Sequence, residues 1–175
     1  MSVMIELLPS AGPVLVVGGG AVALRRARNL AAGGFAVTVI APEIDAAIRE
    51  LPGVACLQRG FAAGDIGGAN PRWALVVASA GPREVNRAAG DAARALGIPV
   101  VVADAQAEST AFTPATLRDG DLQVAVSTGG ADPALAMALR ERIAAALGPG
   151  WASTVAAARK ERETRLGREG GGGDG

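Results

Sequence analysis

The sequence has no histidine and no tyrosine, a single lysine (Lys160) and a single cysteine (Cys56). Without histidine the commonest general base and metal ligand is missing. Proton transfer therefore falls to carboxylates, hydroxyls, the lysine, the thiol or water. One cysteine excludes an internal disulfide, and Cys56, in the short apolar run VACL, reads as a buried, inert thiol. With one cysteine and no carboxylate pairs at helical spacing, no metal-ligand set is expected. There is also no surplus of either charge: Lys+Arg and Asp+Glu number 17 each, so the electrostatic footprint of a nucleic-acid binder is lacking. No apolar run approaches the ~20 residues of a membrane span. The opening MSVMIELLPS has neither the basic flank nor the long apolar stretch of a secretory signal. These absences lead to the expectation of a cytoplasmic protein with neither membrane nor nucleic acid as partner.

What is present is apolar and glycine-rich. Half of the 175 residues are hydrophobic, enough for one domain with a real core plus an appendage. Val14–Val17 is a β-branched run of the kind buried on both faces in a parallel sheet. Gly18-Gly19-Gly20 follows, then a helix over 21–32 stopped by Gly33-Gly34, then a second strand over 36–41. A short helix at 46–51 and a weak strand at 54–57 come next, and 61–71 reads as loop. A firm strand spans 73–79, a helix 83–96 and a fifth strand 98–103. Strands alternating with helices imply a doubly wound parallel sheet. Residues 105–121 show no strong period, and 122–127 is a sixth strand. Asp132-Pro133 is a good cap for a helix running to about Leu147, where Gly148-Pro149 ends it. Residues 151–169 read as a further, charged helix, and 170–175 as a flexible tail.

Gly18, Gly20 and Ala23 fit G-x-G-x-x-A between a strand and a helix. Gly18 lets the chain turn sharply, Gly20 lets a pyrophosphate approach the backbone, and Ala23 lets the helix pack tightly. The helix start offers N–H groups and a partial positive charge to phosphate. Glu43, just past the second strand, is placed either to meet ribose hydroxyls or to be a solvated loop carboxylate. No arginine stands beside it, which argues against a 2′-phosphate and for NAD.

The ordered set VLVVGGGAVALRRARNL, VTVIAPE, EVN at 84–86, VVADA, FTPATLRDGDLQVAVSTGG and DPALAMALRERI resembles the precorrin-2 dehydrogenase/sirohydrochlorin ferrochelatase family over roughly residues 4–149. That family is also found as the N-terminal module of sirohaem synthases. The resemblance implies an NAD-binding Rossmann domain over 1–110, a small α+β dimerisation domain over 111–149, a C-terminal helical segment over 150–169 and a homodimer. It implies oxidation of precorrin-2 to sirohydrochlorin with NAD as hydride acceptor. Some members also insert ferrous iron as a substrate, and whether this chain does stays open. It places cofactor contacts at Gly18, Gly19, Gly20, Ala21 and Val22 and at Pro42 and Glu43, and the key acid at Asp104. The turn Ser127-Thr128-Gly129-Gly130 and Arg118 are implied on the substrate side. One departure stands out: Ala80-Gly81-Pro82 occupies the place of a usual Thr-Asp-Asp, which leaves room for a non-catalytic NAD-sensing module. No methyltransferase segment follows, so the trifunctional version is not expected.

The residues support parts of this independently. Ligands of open α/β sheets bind beyond the carboxyl ends of the strands, where Asp104 and the glycine turn should meet. A carboxylate there can take the proton released as hydride leaves, and burial would suit it better to neutral pH. The backbone N–H groups and hydroxyls of 127–130 could hold a substrate carboxylate. Ordinary helix capping explains them equally, and the Asp132 charge speaks against a pure anion site. Arg118, Arg140, Arg142, Arg25 and Arg26 are candidates for a polyanionic substrate or simple surface charges.

Overall fold

A computed structural model describes residues 2–68 and 72–170; beyond Leu166 it describes the backbone alone. The chain divides into two compact units, 1–112 and 113–175.

The first unit is built on five parallel strands: β1 (Val14–Val17), β2 (Val37–Ala41), β3 (Val54–Gln58), β4 (Leu75–Ala78) and β5 (Val100–Val102). They lie in the order β3-β2-β1-β4-β5. Four helices connect them: α1 (Ala21–Ala32), α2 (Ala46–Arg49), α3 (Gly64–Gly67) and α4 (Arg83–Ala95). The order reverses direction between β1 and β4, and the connections leaving these two strands open a crevice at their carboxyl ends.

The pleat explains why β1 is apolar at every position. Successive side chains point to opposite faces, so a central strand must satisfy two cores. Val14 and Val16 join one core with Val37, Val39 and Val77, covered by Ala23 and Ala27 of α1 and Ile48 of α2. Leu15 and Val17 join the other with Ile40, Val76 and Val100, covered by Ala89 and Ala93 of α4 and by Ile66 and Trp73. Burying each such valine or leucine side chain contributes about 1.5–3 kcal/mol.

Two features of this unit differ from the sequence reading. The stretch expected as loop at 61–71 contains α3, and Ile66 from it is buried. A clasp sets this segment: Arg59 donates to both Asp65 carboxylate oxygens at 2.9 and 2.6 Å, and the Trp73 indole donates to the Asp65 carbonyl at 2.8 Å. Such contacts join residues that share no periodic pattern. Cys56 is a free thiol, half-buried rather than buried, because it lies on edge strand β3 with a neighbour on one side only.

The second unit holds an antiparallel hairpin, β6 (Ala115–Asp119) and β7 (Leu122–Val126), followed by α5 (Pro133–Leu147) and α6 (Trp151–Gly170). Strand β6 lies inside the stretch that shows no period. It pairs with one neighbouring strand only and its ATLRD alternates weakly, so the pairing with β7 defines it rather than its own pattern. The Asp119 carboxylate caps α6, accepting from the N–H groups of Gly150 (3.1 Å) and Trp151 (2.7 Å). Among the described residues of this unit only Ala136 is buried, while Leu135, Met137 and Trp151 are exposed. Residues 171–175, most of the expected tail, lie outside the described residues. No helix among the described residues is long and apolar enough to cross a membrane.

Candidate functional site

The site is assembled from the loops that leave β1, β2, β4 and β5 at their carboxyl ends. The turn after β1 contains three glycines with three different surroundings. Gly18 has φ +124°, and a Cβ there would stand 2.4 Å from the Ser79 carbonyl oxygen. Its own N–H donates to the Ile40 carbonyl at 2.9 Å, so the turn is seated between β2 and β4. A Cβ on Gly19 would stand 2.0 Å from the Glu43 carbonyl oxygen, and the Gly19 carbonyl accepts from Asp45 N–H at 2.9 Å. A Cβ on Gly20 would meet nothing within 4 Å. The protein fills the space over the first two glycines with its own backbone and leaves the third open.

That open space lies at the start of α1. Gly20 is the N-cap, no side chain caps the helix, and its first turn holds no acidic residue. The N–H groups of Ala21, Val22 and Ala23 precede the first intrahelical bond, which Leu24 N–H makes to the Gly20 carbonyl at 2.9 Å. A helix start with free donors, a positive dipole end and room for approach fits a diphosphate. By contrast α2 is capped by its own Asp45, which accepts from Ala47 N–H at 2.9 Å. Ala21 and Val22 are exposed beside the opening. Pro42 and Glu43, also exposed, lie on the loop pressed against Gly19. The glycine turn and the post-β2 loop are thus brought together, as a dinucleotide needs.

The loop after β4 adjoins Gly18. It is held by Asn86, the one buried polar residue among those described, whose amide accepts from Ala80 N–H (2.7 Å) and donates to the Ala80 carbonyl (3.0 Å). Ala80-Gly81-Pro82 is therefore a shaped loop, pinned from within α4 through the asparagine of the EVN motif. Asp104 stands two residues beyond β5 at the same edge of the sheet and is exposed rather than buried. Its surroundings are charged. Arg83 Nε lies 3.8 Å from an Asp104 carboxylate oxygen, and Arg83 also pairs with Glu108. The sequence reading missed both Arg83 and Glu108. Arg83 follows Pro82 directly, a cation at the entrance of a helix beside an altered loop, which is the signal available. Its pairing with Glu108, 25 residues away, is visible only in three dimensions.

Ser127, Thr128, Gly129, Gly130 and Arg118 belong to the second unit. Ser127 Oγ accepts from Gly129 N–H at 3.1 Å. Thr128 Oγ1 accepts from Asp132 N–H at 3.1 Å and donates to the Asp132 carbonyl at 3.0 Å. Asp132 accepts from the N–H groups of Ala134 (2.8 Å) and Leu135 (3.0 Å). These hydroxyls close the turn and the aspartate caps α5, which is the capping role described for such residues. Arg118 is exposed on β6, across the hairpin from Gln123. On α1, burial and the neighbouring Arg25 hold the Arg26 guanidinium below the usual arginine range.

A parallel sheet with a glycine turn, an uncapped helix start and a topological switch point defines a Rossmann-type dinucleotide-binding protein. The chain belongs to the NAD(P)-binding family whose model, NAD_binding_7, matches residues 7–115. A second model, the central region of sirohaem biosynthesis proteins, matches residues 119–146. The siroheme synthase of Ectopseudomonas mendocina (strain ymp) is 44% identical over 133 residues, 75% of this chain and 28% of that protein. The siroheme synthase of Azotobacter vinelandii is 38% identical over 152 residues, 85% of this chain and 32% of that protein. The chain thus spans about a third or less of the length of these relatives. Among solved structures, SirC, a precorrin-2 dehydrogenase, superposes with a TM-score of 0.67 at 26% identity, covering 87% of this chain and 74% of that one. The resemblance carried by the sequence motifs is upheld by all three comparisons.

Proposed function

We propose that this protein oxidises precorrin-2 to sirohydrochlorin with NAD, in the cytoplasm, as a homodimer. The observation that carries the reading is the open space over Gly20 at the uncapped start of α1, on the sheet edge that also holds Asp104. The names of the relatives, siroheme synthase and precorrin-2 dehydrogenase, supply the substrate class.

Bound NAD supplies a hydride acceptor. The residues of the chain do the rest. The N–H groups of Ala21 and Val22, free at the start of α1, would hold the diphosphate over Gly20, and Glu43 would meet the ribose hydroxyls. Desaturation removes two hydrogens from the macrocycle: one C–H bond gives up its electron pair as hydride, and a proton leaves beside it. Asp104 takes that proton. With no histidine in the chain and an open path to solvent, an exposed carboxylate can pass the proton on to water. Arg118 and the turn at 127–130 are assigned to carboxylate arms of the substrate, and ferrous iron to a second step in which the macrocycle provides the ligands.

The test is turnover. Precorrin-2 and NAD mixed with the protein should yield the absorbance of sirohydrochlorin. Asp104→Ala should lower the rate by about 10²-fold or more, with NAD affinity unchanged; an undiminished rate would overturn the assignment. NAD binding without turnover by the unaltered protein would favour the sensor reading, for which the Ala80-Gly81-Pro82 loop is the supporting observation. Adding ferrous iron to the product then asks whether sirohaem follows.

A further inference from the structure

The loop that carries Asp104 is fastened more heavily than a surface turn requires. Ser109 Oγ accepts from Val102 N–H at 2.9 Å, and Thr110 Oγ1 accepts from Val100 N–H at 2.9 Å, so the chain after β5 folds back along the strand it has just left. Arg94, from the last turn of α4, donates to the Glu108 carbonyl. The Glu108 side chain turns toward Arg83. One of its carboxylate oxygens pairs with that guanidinium, while the other is buried with no hydrogen bond. A half-buried carboxylate with one unsatisfied oxygen is costly unless a fixed cation faces it.

Arg83 is that cation, and its backbone is fixed as well. It is the first residue of α4, directly after the loop that Asn86 pins at Ala80. Its planar guanidinium reaches two carboxylates along different edges, Nη2 toward Glu108 and Nε toward Asp104 at 3.8 Å. A guanidinium can present two faces of its fork in this way, and an ammonium cannot. The Nε–Asp104 separation is an ion-pair distance, longer than a hydrogen bond, so Arg83 orients the carboxylate by charge without occupying an Asp104 oxygen as acceptor.

We propose that Arg83, held in place by Glu108, is the positioning residue for the Asp104 carboxylate. Glu108 orients the guanidinium, and the guanidinium holds Asp104 on its exposed loop in the direction from which it takes the proton. The inference rests on the reading of Asp104 as the base. It gives the Ala80-Gly81-Pro82 loop a role too, since the loop carries no carboxylate that would draw Arg83 away.

The experiment compares steady-state oxidation of precorrin-2, NAD affinity and thermal unfolding for the full chain and for Arg83→Gln, Arg83→Lys, Glu108→Gln, Asp104→Asn and the double variant Arg83→Gln/Asp104→Asn. Arg83→Gln should lower kcat about tenfold, a change equivalent to about 1.4 kcal/mol, with KM, NAD affinity and melting temperature little altered. Arg83→Lys should recover only part of that loss, and Glu108→Gln should lower kcat in the same direction. In the Asp104→Asn background, Arg83→Gln should cost nothing further, because its effect runs through the carboxylate. An unchanged kcat in Arg83→Gln, or a loss that simply adds to that of Asp104→Asn, would overturn the inference while leaving Asp104 as the base. A fully active Asp104→Asn would overturn the base itself, and this inference with it. A parallel drop in melting temperature and NAD affinity would show Arg83 to be structural and would likewise overturn it.

Discussion

Three consecutive glycines do three different jobs, and substitution separates them. At Gly18 the φ of +124° and the Ser79 carbonyl at 2.4 Å from a Cβ make alanine doubly unfavourable. We expect Gly18→Ala to lose at least about 1–3 kcal/mol of stability, seen as a lower urea midpoint. Gly19→Ala meets the Glu43 carbonyl backbone at 2.0 Å and should also destabilise, by displacing the post-β2 loop. Gly20→Ala should leave the midpoint nearly unchanged, since its Cβ meets no protein atom within 4 Å. It should nevertheless weaken NAD binding about tenfold or more, because the methyl group enters the space a diphosphate would occupy. Equilibrium unfolding and an NAD titration on the same three variants check this. Equal NAD affinity in Gly20→Ala and the unaltered protein would remove the diphosphate from this turn.

Among the elements, the segment from Arg59 to Trp73 has the least regular structure and the most specific fastening. The Asp65 carboxyl lies below the usual carboxylate range, chiefly because the Arg59 side chain donates to it, with the Ala62 N–H and the Arg59 charge adding to the effect. A folded value below the unfolded 3.8 means stability that is present above the unfolded value and is lost as pH falls through the folded one. Acid titration of stability should therefore show a contribution lost below about pH 4 and missing from Asp65→Asn. Arg59 is 48% exposed, so solvent screens the pair and the loss at neutral pH should be modest. Melting curves of the two proteins between pH 3 and pH 7 that ran parallel would contradict the clasp. Of the same kind is α5, whose Asp132 cap was legible in advance as Asp-Pro before an apolar stripe.

At the scale of the molecule, the two units face different energetic situations. Both apolar cores are built almost wholly from residues before 112, so residues 1–112 expressed alone should unfold cooperatively and retain NAD binding. Calorimetry and an NAD titration on that fragment would show whether they do. The second unit buries little of its own: a two-stranded hairpin and two helices leave Leu135 and Met137 of α5 exposed, and such a hairpin is marginal by itself in water. In the homodimer proposed above, a second copy would cover this surface. Light scattering should give twice the chain mass, and Leu135→Asp/Met137→Asp should shift it toward one chain at micromolar concentration while NAD binding persists. A monomeric unaltered protein would end that proposal.

Val14–Val17, the glycines that follow and the alanine at 23 were legible because local pattern and tertiary role coincide there: a strand buried on both faces must be apolar throughout, and a helix packed close must present a small residue. The alternation of strands and helices and the dinucleotide turn follow from such runs. Strand β6, helix α3, the exposure of Asp104 and the pairing of Arg83 with Glu108 and Asp104 were decided only by the tertiary structure. Their side chains meet partners distant in sequence, across a hairpin, a clasp or the mouth of a sheet. Neither hydrophobic period nor propensity records which charge will face which once the chain has closed.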